Sequence, residues 1–172
     1  MIGQILLQLI LIALNAIFAC AEIAVISSNE TRIDKLAEQG NKPAKRLQAL
    51  QNRPAQFLAT IQVAITLSGF LGSAFAADHF SEALVQLLVN WGVAIPQATL
   101  QTISVVLITI LLSFLTLVFG ELVPKRIAMR KAESIALGIS GMIQVLAKLC
   151  SPLVWLLTAA TNGVLRLFRI DP

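Results

Sequence analysis

The sequence predicts an all-α membrane protein with three transmembrane helices, and three observations support this class. The chain has 172 residues, of which 57% are hydrophobic and only 13% are charged. A soluble domain carries about a quarter charged residues, so this chain cannot cover its surface with polar groups. Apolar runs of about 20 residues recur, which is the length a helix needs to cross a bilayer. Lysine and arginine are concentrated between some of these runs and absent between others.

The first span is predicted over residues 2–26 and contains a single charged residue, Glu22. No lysine or arginine precedes it, so it lacks the basic start of a secretory signal and is read as a retained helix. The polar segment 28–54 follows. Its Gly40–Pro43 stretch predicts a break between two short helices.

The second span is predicted over residues 55–77, which carry no charge. A loop is expected over 78–98, because Asp78, His79 and Glu82 interrupt the apolar pattern there. The third span is predicted over 99–122, and basic residues follow it at once.

The distribution of basic residues predicts the orientation. Lysine and arginine cluster in 28–54 and 125–131 and are absent from the 78–98 loop. The positive-inside rule therefore places the clusters in the cytoplasm and the N-terminus outside. The apolar stretch 134–168 is predicted to form interfacial helices on the cytoplasmic side, since each half is short for a span. Two further crossings are the alternative.

The stretch FGELVPKR places a glycine, a glutamate and a proline at the end of the third span. Pro124 has no N–H and clashes with the carbonyl of residue i−4, which is Gly120. The pattern thus predicts a free backbone oxygen beside the Glu121 carboxylate, and hard cations such as Mg²⁺ and Ca²⁺ take all-oxygen sites. The alternative is a simple helix stop with an interfacial glutamate.

Serine hydroxyls supply further candidate ligands. Ser68 and Ser73 lie in the second span, where spacing with Gly72 and Gly69 also fits close helix packing. Ser27 ends the first span, at the same predicted membrane level as Glu121, although it could bond back to its own helix.

Other chemistries find no support in the sequence. Cys20 and Cys150 lie far apart in apolar runs, and the single histidine, His79, has no ligand cluster around it. The net charge of +4 is spread over the membrane-flanking segments and forms no nucleic-acid footprint. We therefore expect no enzymatic activity, no catalytic residues and no nucleic-acid partner.

Three stretches together resemble one known family. They are NAIFACAEIAVISSNETRI at 15–33, ATIQVAITLSGFLGSAFAA at 59–77 and FGELVPKRIAMRKAE at 119–133. Their content and order are similar to the DUF21 transmembrane domain of the CorC and cyclin M (CNNM) magnesium transporter family. The resemblance covers almost all of residues 1–172, so we expect this to be a single such domain.

The resemblance implies a homodimer in the plasma (bacterial inner) membrane that exports Mg²⁺ in exchange for Na⁺. It also implies that CBS domains follow in the full-length protein, beyond this chain. The family's metal site combines serine hydroxyls of the first two helices with the Gly-Glu pair of the third. That carries over to Ser27, Gly120 and Glu121, and to Ser68 or Ser73. Some relatives have asparagines where this chain has other residues, at Ile65 and Gly69, so the choice between the two serines stays open.

The predicted function is therefore Mg²⁺ export through a dehydrated site near the cytoplasmic face. Two alternatives remain at this point. One is a membrane anchor or regulatory module that senses Mg²⁺ without transporting it. The other is a transporter for a different divalent cation.

Overall fold

The computed structural model describes residues 2–171, with side chains for all of these except Ala77 and Asp78. Met1 and Pro172, at the ends of the predicted domain, lie outside the described residues. Within this range the chain is helical and contains no β-strand. Its elements are Ile2–Ser27 (α1), Glu30–Glu38 (α2), Lys42–Gln51 (α3), Pro54–Asn90 (α4), Gln97–Leu117 (α5), the π-helical turn Val118–Leu122, Val123–Arg130 (α6), Ala132–Leu149 (α7) and Ser151–Leu167 (α8).

The chain divides into two compact units. The first unit contains the chain up to Ala19 and Ile65–Arg126. The second contains Cys20–Ala64 and the chain from Ile127 onward. The first unit thus holds most of α1, the later part of α4, all of α5 and the π-helical turn. The second holds α2, α3, α7 and α8.

Side-chain caps define the two short helices of the second unit. The Asn29 side chain accepts hydrogen bonds from the first turn of α2, and the Asn41 side chain accepts one from Ala44 N–H in α3. Such caps satisfy backbone donors that a helix start leaves unpaired. Gly40 lies between the helices with φ of +89°, a conformation that favours glycine. The helix break predicted at 40–43 is confirmed.

Helix α7 contacts the polar α2–α3 segment along its length. Near its start, Glu133 pairs with Arg32 of α2 at 3.5 Å. In its middle, a Cβ placed on Gly141 would lie 3.5 Å from Cζ of Arg46 in α3. Near its end, Lys148 lines a cavity with residues of α3. An interfacial position for this helix stays a prediction, and these contacts with a water-soluble segment support it.

By length and composition, four helices within residues 2–171 could cross a membrane. They are Ile2–Ser27, Pro54–Asn90, Gln97–Arg130 and Ala132–Leu149. The three predicted spans fall within the first three. The fourth candidate is α7, in the stretch predicted to be interfacial. Most large apolar side chains of α5 are exposed, as expected for helices whose solvent is lipid. The described chain therefore has the all-helical architecture of a multi-pass membrane protein.

The predicted loop at 78–98 is wrong over its first half. Helix α4 continues through His79 and Glu82 to Asn90 without interruption. Isolated polar side chains change the polarity of a helix but leave its backbone hydrogen bonds intact. The helix ends only where Gly92 adopts φ of +81° and Pro96 follows.

Candidate functional site

The FGELVPKR stretch forms a π-helical turn, so a complete helix stop at Pro124 is excluded. The turn covers Val118–Leu122, and Val123 N–H bonds to the Val118 carbonyl five residues earlier. Helix α6 then continues to Arg130. A π-helical turn inserts an extra residue into the helix, which changes the register of its hydrogen bonds. It lets the helix continue where Pro124 cannot donate to Gly120, and such turns are frequent at functional sites.

The Gly120 carbonyl, freed by Pro124, has a partner that the sequence analysis did not name. Asn15 of α1 donates through Nδ2 to this oxygen at 2.9 Å, in a buried position. A carbonyl oxygen has two lone pairs, so an oxygen that accepts from one amide can also bind a second partner. Glycine favours this approach, because a Cβ at position 120 would lie 3.0 Å from Nδ2, closer than most such contacts.

A second side-chain amide of α1 also donates to the backbone carbonyl of a glycine in another helix. Gln8 donates through Nε2 to the Gly72 carbonyl of α4 at 2.7 Å. Gln8 and Asn15 lie seven residues apart, so they share one face of α1. Both are nearly fully buried. The sequence carried a signal for them, since amides inside a transmembrane helix usually bind neighbouring helices.

Of the two serines left open in α4, Ser68 is the better placed for a buried site. It is 7% exposed, whereas Ser73 is exposed. Ser68 lies one turn before Gly72 and therefore on the helix face that meets Gln8 of α1. A Cβ placed on Gly69, the residue spaced with Ser73, would have no atom within 4 Å in the described part of the chain.

Glu121 is half-buried in the π-helical turn, directly after Gly120. Within residues 2–171, no lysine or arginine lies within ion-pair distance of its carboxylate. The carboxylate is therefore available to a cation. The first unit thus holds Gly120, Glu121, Ser68 and Ser73 of the predicted site.

Ser27 belongs to the second unit and is exposed. Its neighbour Ser28 is buried and donates to the Ala24 carbonyl of its own helix at 2.6 Å. This is the kind of bond to the same helix that was considered above for Ser27, and it occupies the Ser28 hydroxyl proton. Ser27 remains the candidate ligand of α1.

The candidate ligands for a cation are all oxygen atoms, and only one of the ligand groups, Glu121, is a carboxylate. Among the side chains that the structure describes, no three His, Cys, Asp or Glu residues gather as a metal cluster. Any cation site here thus depends on hydroxyl and backbone oxygens around Glu121. Such a set suits hard cations and offers nothing to metals that prefer sulfur or imidazole ligands.

Comparison with known proteins supports the family suggested by the motifs. The sequence profile of the cyclin M transmembrane N-terminal domain matches residues 6–172. The UPF0053 protein sll0260 of Synechocystis is 39% identical over 161 residues, covering 94% of this chain and 36% of that protein. The UPF0053 protein YhdT of Bacillus subtilis is 30% identical over 171 residues, covering 99% of this chain and 37% of that protein.

The polyamine export protein of Escherichia coli K12 is also 30% identical, over 170 residues, covering 99% of this chain and 37% of that protein. The chain therefore spans little more than a third of these relatives' length. The profile covers nearly all of the chain. The chain belongs to the cyclin M transmembrane-domain family.

Proposed function

We propose that this chain is the membrane domain of a cation exporter whose substrate is Mg²⁺, driven by inward Na⁺. The observation that carries the proposal is the π-helical turn. It holds the Gly120 carbonyl against Asn15 and places the unpaired Glu121 carboxylate next to it. Oxygen atoms and one negative charge thus meet where the helix is irregular, and irregular backbone at membrane depth belongs at buried or cavity-lining positions.

Each residue has a distinct role in the proposed site. Glu121 supplies the charge that offsets the cost of removing water from the ion. The Gly120 carbonyl and the hydroxyl of Ser68 supply neutral oxygens, with Ser73 as the alternative in α4. Ser27 stays the α1 ligand that the family resemblance predicts. Mg²⁺ keeps six oxygen ligands and loses its water reluctantly. A few neutral oxygens around one carboxylate would let the ion bind and still leave.

A polyamine is the second candidate substrate, because relatives of this chain are named polyamine export proteins. The same oxygens can accept hydrogen bonds from an ammonium group, and Glu121 would pair with it. A polyamine carries several ammonium groups along a flexible chain. It would need further acceptors beyond those around Glu121, whereas Mg²⁺ would not.

Titration calorimetry on the purified chain tests the cation site. The parent is titrated with Mg²⁺, Ca²⁺ and spermidine, alongside Glu121→Ala, Glu121→Gln and the control Glu82→Ala. Glu82 is an exposed acid of α4 in the same unit. We expect Glu121→Ala to abolish Mg²⁺ binding. Glu121→Gln, which is close in shape, should weaken binding at least about 100-fold while unfolding at a similar temperature. Glu82→Ala should bind like the parent.

The outcomes separate the candidates. Mg²⁺ binding by Glu121→Ala at parental affinity would show that the site is wrong. Spermidine binding that depends on Glu121, without Mg²⁺ binding, would make the polyamine the substrate. If Mg²⁺ binds but vesicles containing the full-length protein show no Mg²⁺ flux under a Na⁺ gradient, the domain is a sensor or anchor and no transporter.

A further inference from the structure

We propose that the second unit carries a binding site for the phosphate of an anionic phospholipid headgroup, between Arg53 and Lys148. These residues face a cavity of about 420 Å³, within the roughly 300–1,000 Å³ range of small-ligand sites. The cavity lies where α3, the start of α4 and the end of α7 meet. Its lining is Ala49, Leu50, Asn52, Arg53, Gln56, Phe57, Gln144, Ala147, Lys148 and Ser151.

The charge of this cavity is positive and uncompensated. Its lining contains two cations and no acid. Among the side chains that the structure describes, no carboxylate lies within ion-pair distance of Arg53 or Lys148. The arginine fork can bind two phosphate oxygens at once, and lysine adds a compact second charge. Side chains that donate neutral hydrogen bonds complete the lining: Asn52, Gln56, Gln144 and Ser151.

The two cations come from parts of the chain that the packing of α3 against α7 brings to one cavity. Arg53 lies in the short connection between the end of α3 at Gln51 and the start of α4 at Pro54. Gly141 and Lys148 lie seven residues apart and share a face of α7. The close approach of Arg46 to Gly141, described above, fixes the register of the two helices. Among the described side chains, the buried Nε of Arg46 has no hydrogen-bond partner. Arg46 thus adds a third positive charge to α3, outside the lining of the cavity.

The surroundings favour a lipid over a soluble phosphate. Leu50 and Phe57 form an apolar, buried wall of the cavity. Next to Lys148, Leu149 is 75% exposed, and Leu153 is exposed as well. A headgroup in the cavity could thus place its acyl chains on an apolar surface. The site lies at the start of a candidate span, in the segment predicted to be cytoplasmic, where basic pockets meet anionic lipids.

This inference is independent of the proposed transport function. All of its residues belong to the second unit, whereas Gly120 and Glu121 belong to the first. A lipid here would hold the α3–α7 contact together at the membrane surface. Removing the cation site would leave the lipid site unchanged.

Native mass spectrometry of the purified chain in detergent tests the proposal. The protein is titrated separately with dioleoyl phosphatidylglycerol, dioleoyl phosphatidylcholine and inorganic phosphate. The test variant is Arg53→Gln/Lys148→Gln. The control is Lys42→Gln/Lys45→Gln, which removes the same charge from exposed positions of α3 outside the cavity. Arg53→Lys keeps the charge and shows whether a substitution at this position is tolerated by the fold.

We expect phosphatidylglycerol to bind the parent on the order of 10- to 30-fold more tightly than phosphatidylcholine, with about tenfold or less from each cation. The test variant should lose this preference, and both the control and Arg53→Lys should keep most of it. An equal loss of the phosphatidylglycerol preference in the test and control variants would overturn the proposal. The preference would then come from the net charge of the protein and not from a specific site. Binding of inorganic phosphate that depends on Arg53 and Lys148, without a phosphatidylglycerol preference, would overturn the lipid assignment in favour of a soluble phosphate ligand.

Discussion

At the scale of single residues, two amides organise the first unit. Gln8 and Asn15 each donate to the carbonyl of a glycine in another helix. In a membrane no water competes for these groups, and a backbone carbonyl without an intrahelical partner must find one in the protein. Interhelical hydrogen bonds in membrane proteins contribute roughly 0.6 kcal/mol on average. Their main contribution here is to hold groups in position, because the Asn15 side chain fixes the Gly120 carbonyl next to Glu121.

Replacing Gly120 by alanine tests this contact. The new Cβ would lie 3.0 Å from Asn15 Nδ2, and Asn15 is only 2% exposed and cannot move aside freely. We expect Gly120→Ala to be less stable than Gly138→Ala by about 1–3 kcal/mol, a typical cost of overpacking, and to bind Mg²⁺ more weakly. A Cβ at Gly138 meets no atom within 4 Å. Thermal unfolding and calorimetry measure both effects. Equal stability of the two variants would show that the Asn15 contact does not constrain the turn.

At the scale of elements, the π-helical turn keeps the helix continuous but shifts its backbone hydrogen bonds by one residue. Val118–Leu122 joins α5 to α6, so a helix of 34 residues runs from Gln97 to Arg130. A regular α-helix would direct every carbonyl of this region along its own axis. In the π-helical turn, the Gly120 carbonyl instead accepts a hydrogen bond from Asn15 of another helix. A change between π-helical and α-helical pairing would alter the oxygens around Glu121, as the proposed transport function requires.

Restoring the missing donor tests the role of this turn. Pro124→Ala supplies an N–H that can bond to Gly120 in a regular α-helix. We expect this variant to keep or raise its unfolding temperature and to lose Mg²⁺ affinity, because Gly120 then bonds within its own helix. Hydrogen exchange at residue 124 and Mg²⁺ calorimetry report the two changes. If the amide at 124 is protected and Mg²⁺ still binds with parental affinity, then Mg²⁺ binding does not depend on the π-helical turn.

At the scale of the whole molecule, the course of α7 decides how many times the chain crosses the membrane. Its length and composition allow a span. Its contacts with Arg32, Arg46 and the α3 end of the cavity all involve one polar segment. A helix that crossed the bilayer would carry one of its ends away from that segment. The contacts therefore favour an interfacial helix with both ends on the same side.

Cysteine labelling measures this directly. Single cysteines are placed at Trp91, Lys131 and Lys148 in a background that lacks Cys20 and Cys150. With a maleimide that does not cross membranes, we expect Trp91→Cys to react in intact cells. Lys131→Cys and Lys148→Cys should react only after the membrane is opened. Labelling of Lys148→Cys in intact cells would mean that α7 crosses the bilayer.

The sequence by itself determined the membrane class, the helical positions of three apolar runs, the break at Gly40 and the family. Composition, apolar length and special backbone residues are local properties, so they can be read without knowing the fold. The same local information led to an error at 78–90. Polar residues suggested a loop there, while the backbone had no reason to leave the helix before Gly92.

Only the tertiary structure decided how the candidate site is built. The sequence showed that Pro124 frees the Gly120 carbonyl, but its partner, Asn15, lies 105 positions away. Likewise, spacing could not choose between Ser68 and Ser73, because both fit a helix and only packing buries one of them. The Arg53–Lys148 cavity forms where the end of α3, the start of α4 and the end of α7 come together. These features depend on which helix faces meet, and that choice is made by the sum of contacts over the whole unit, which no short stretch of sequence contains.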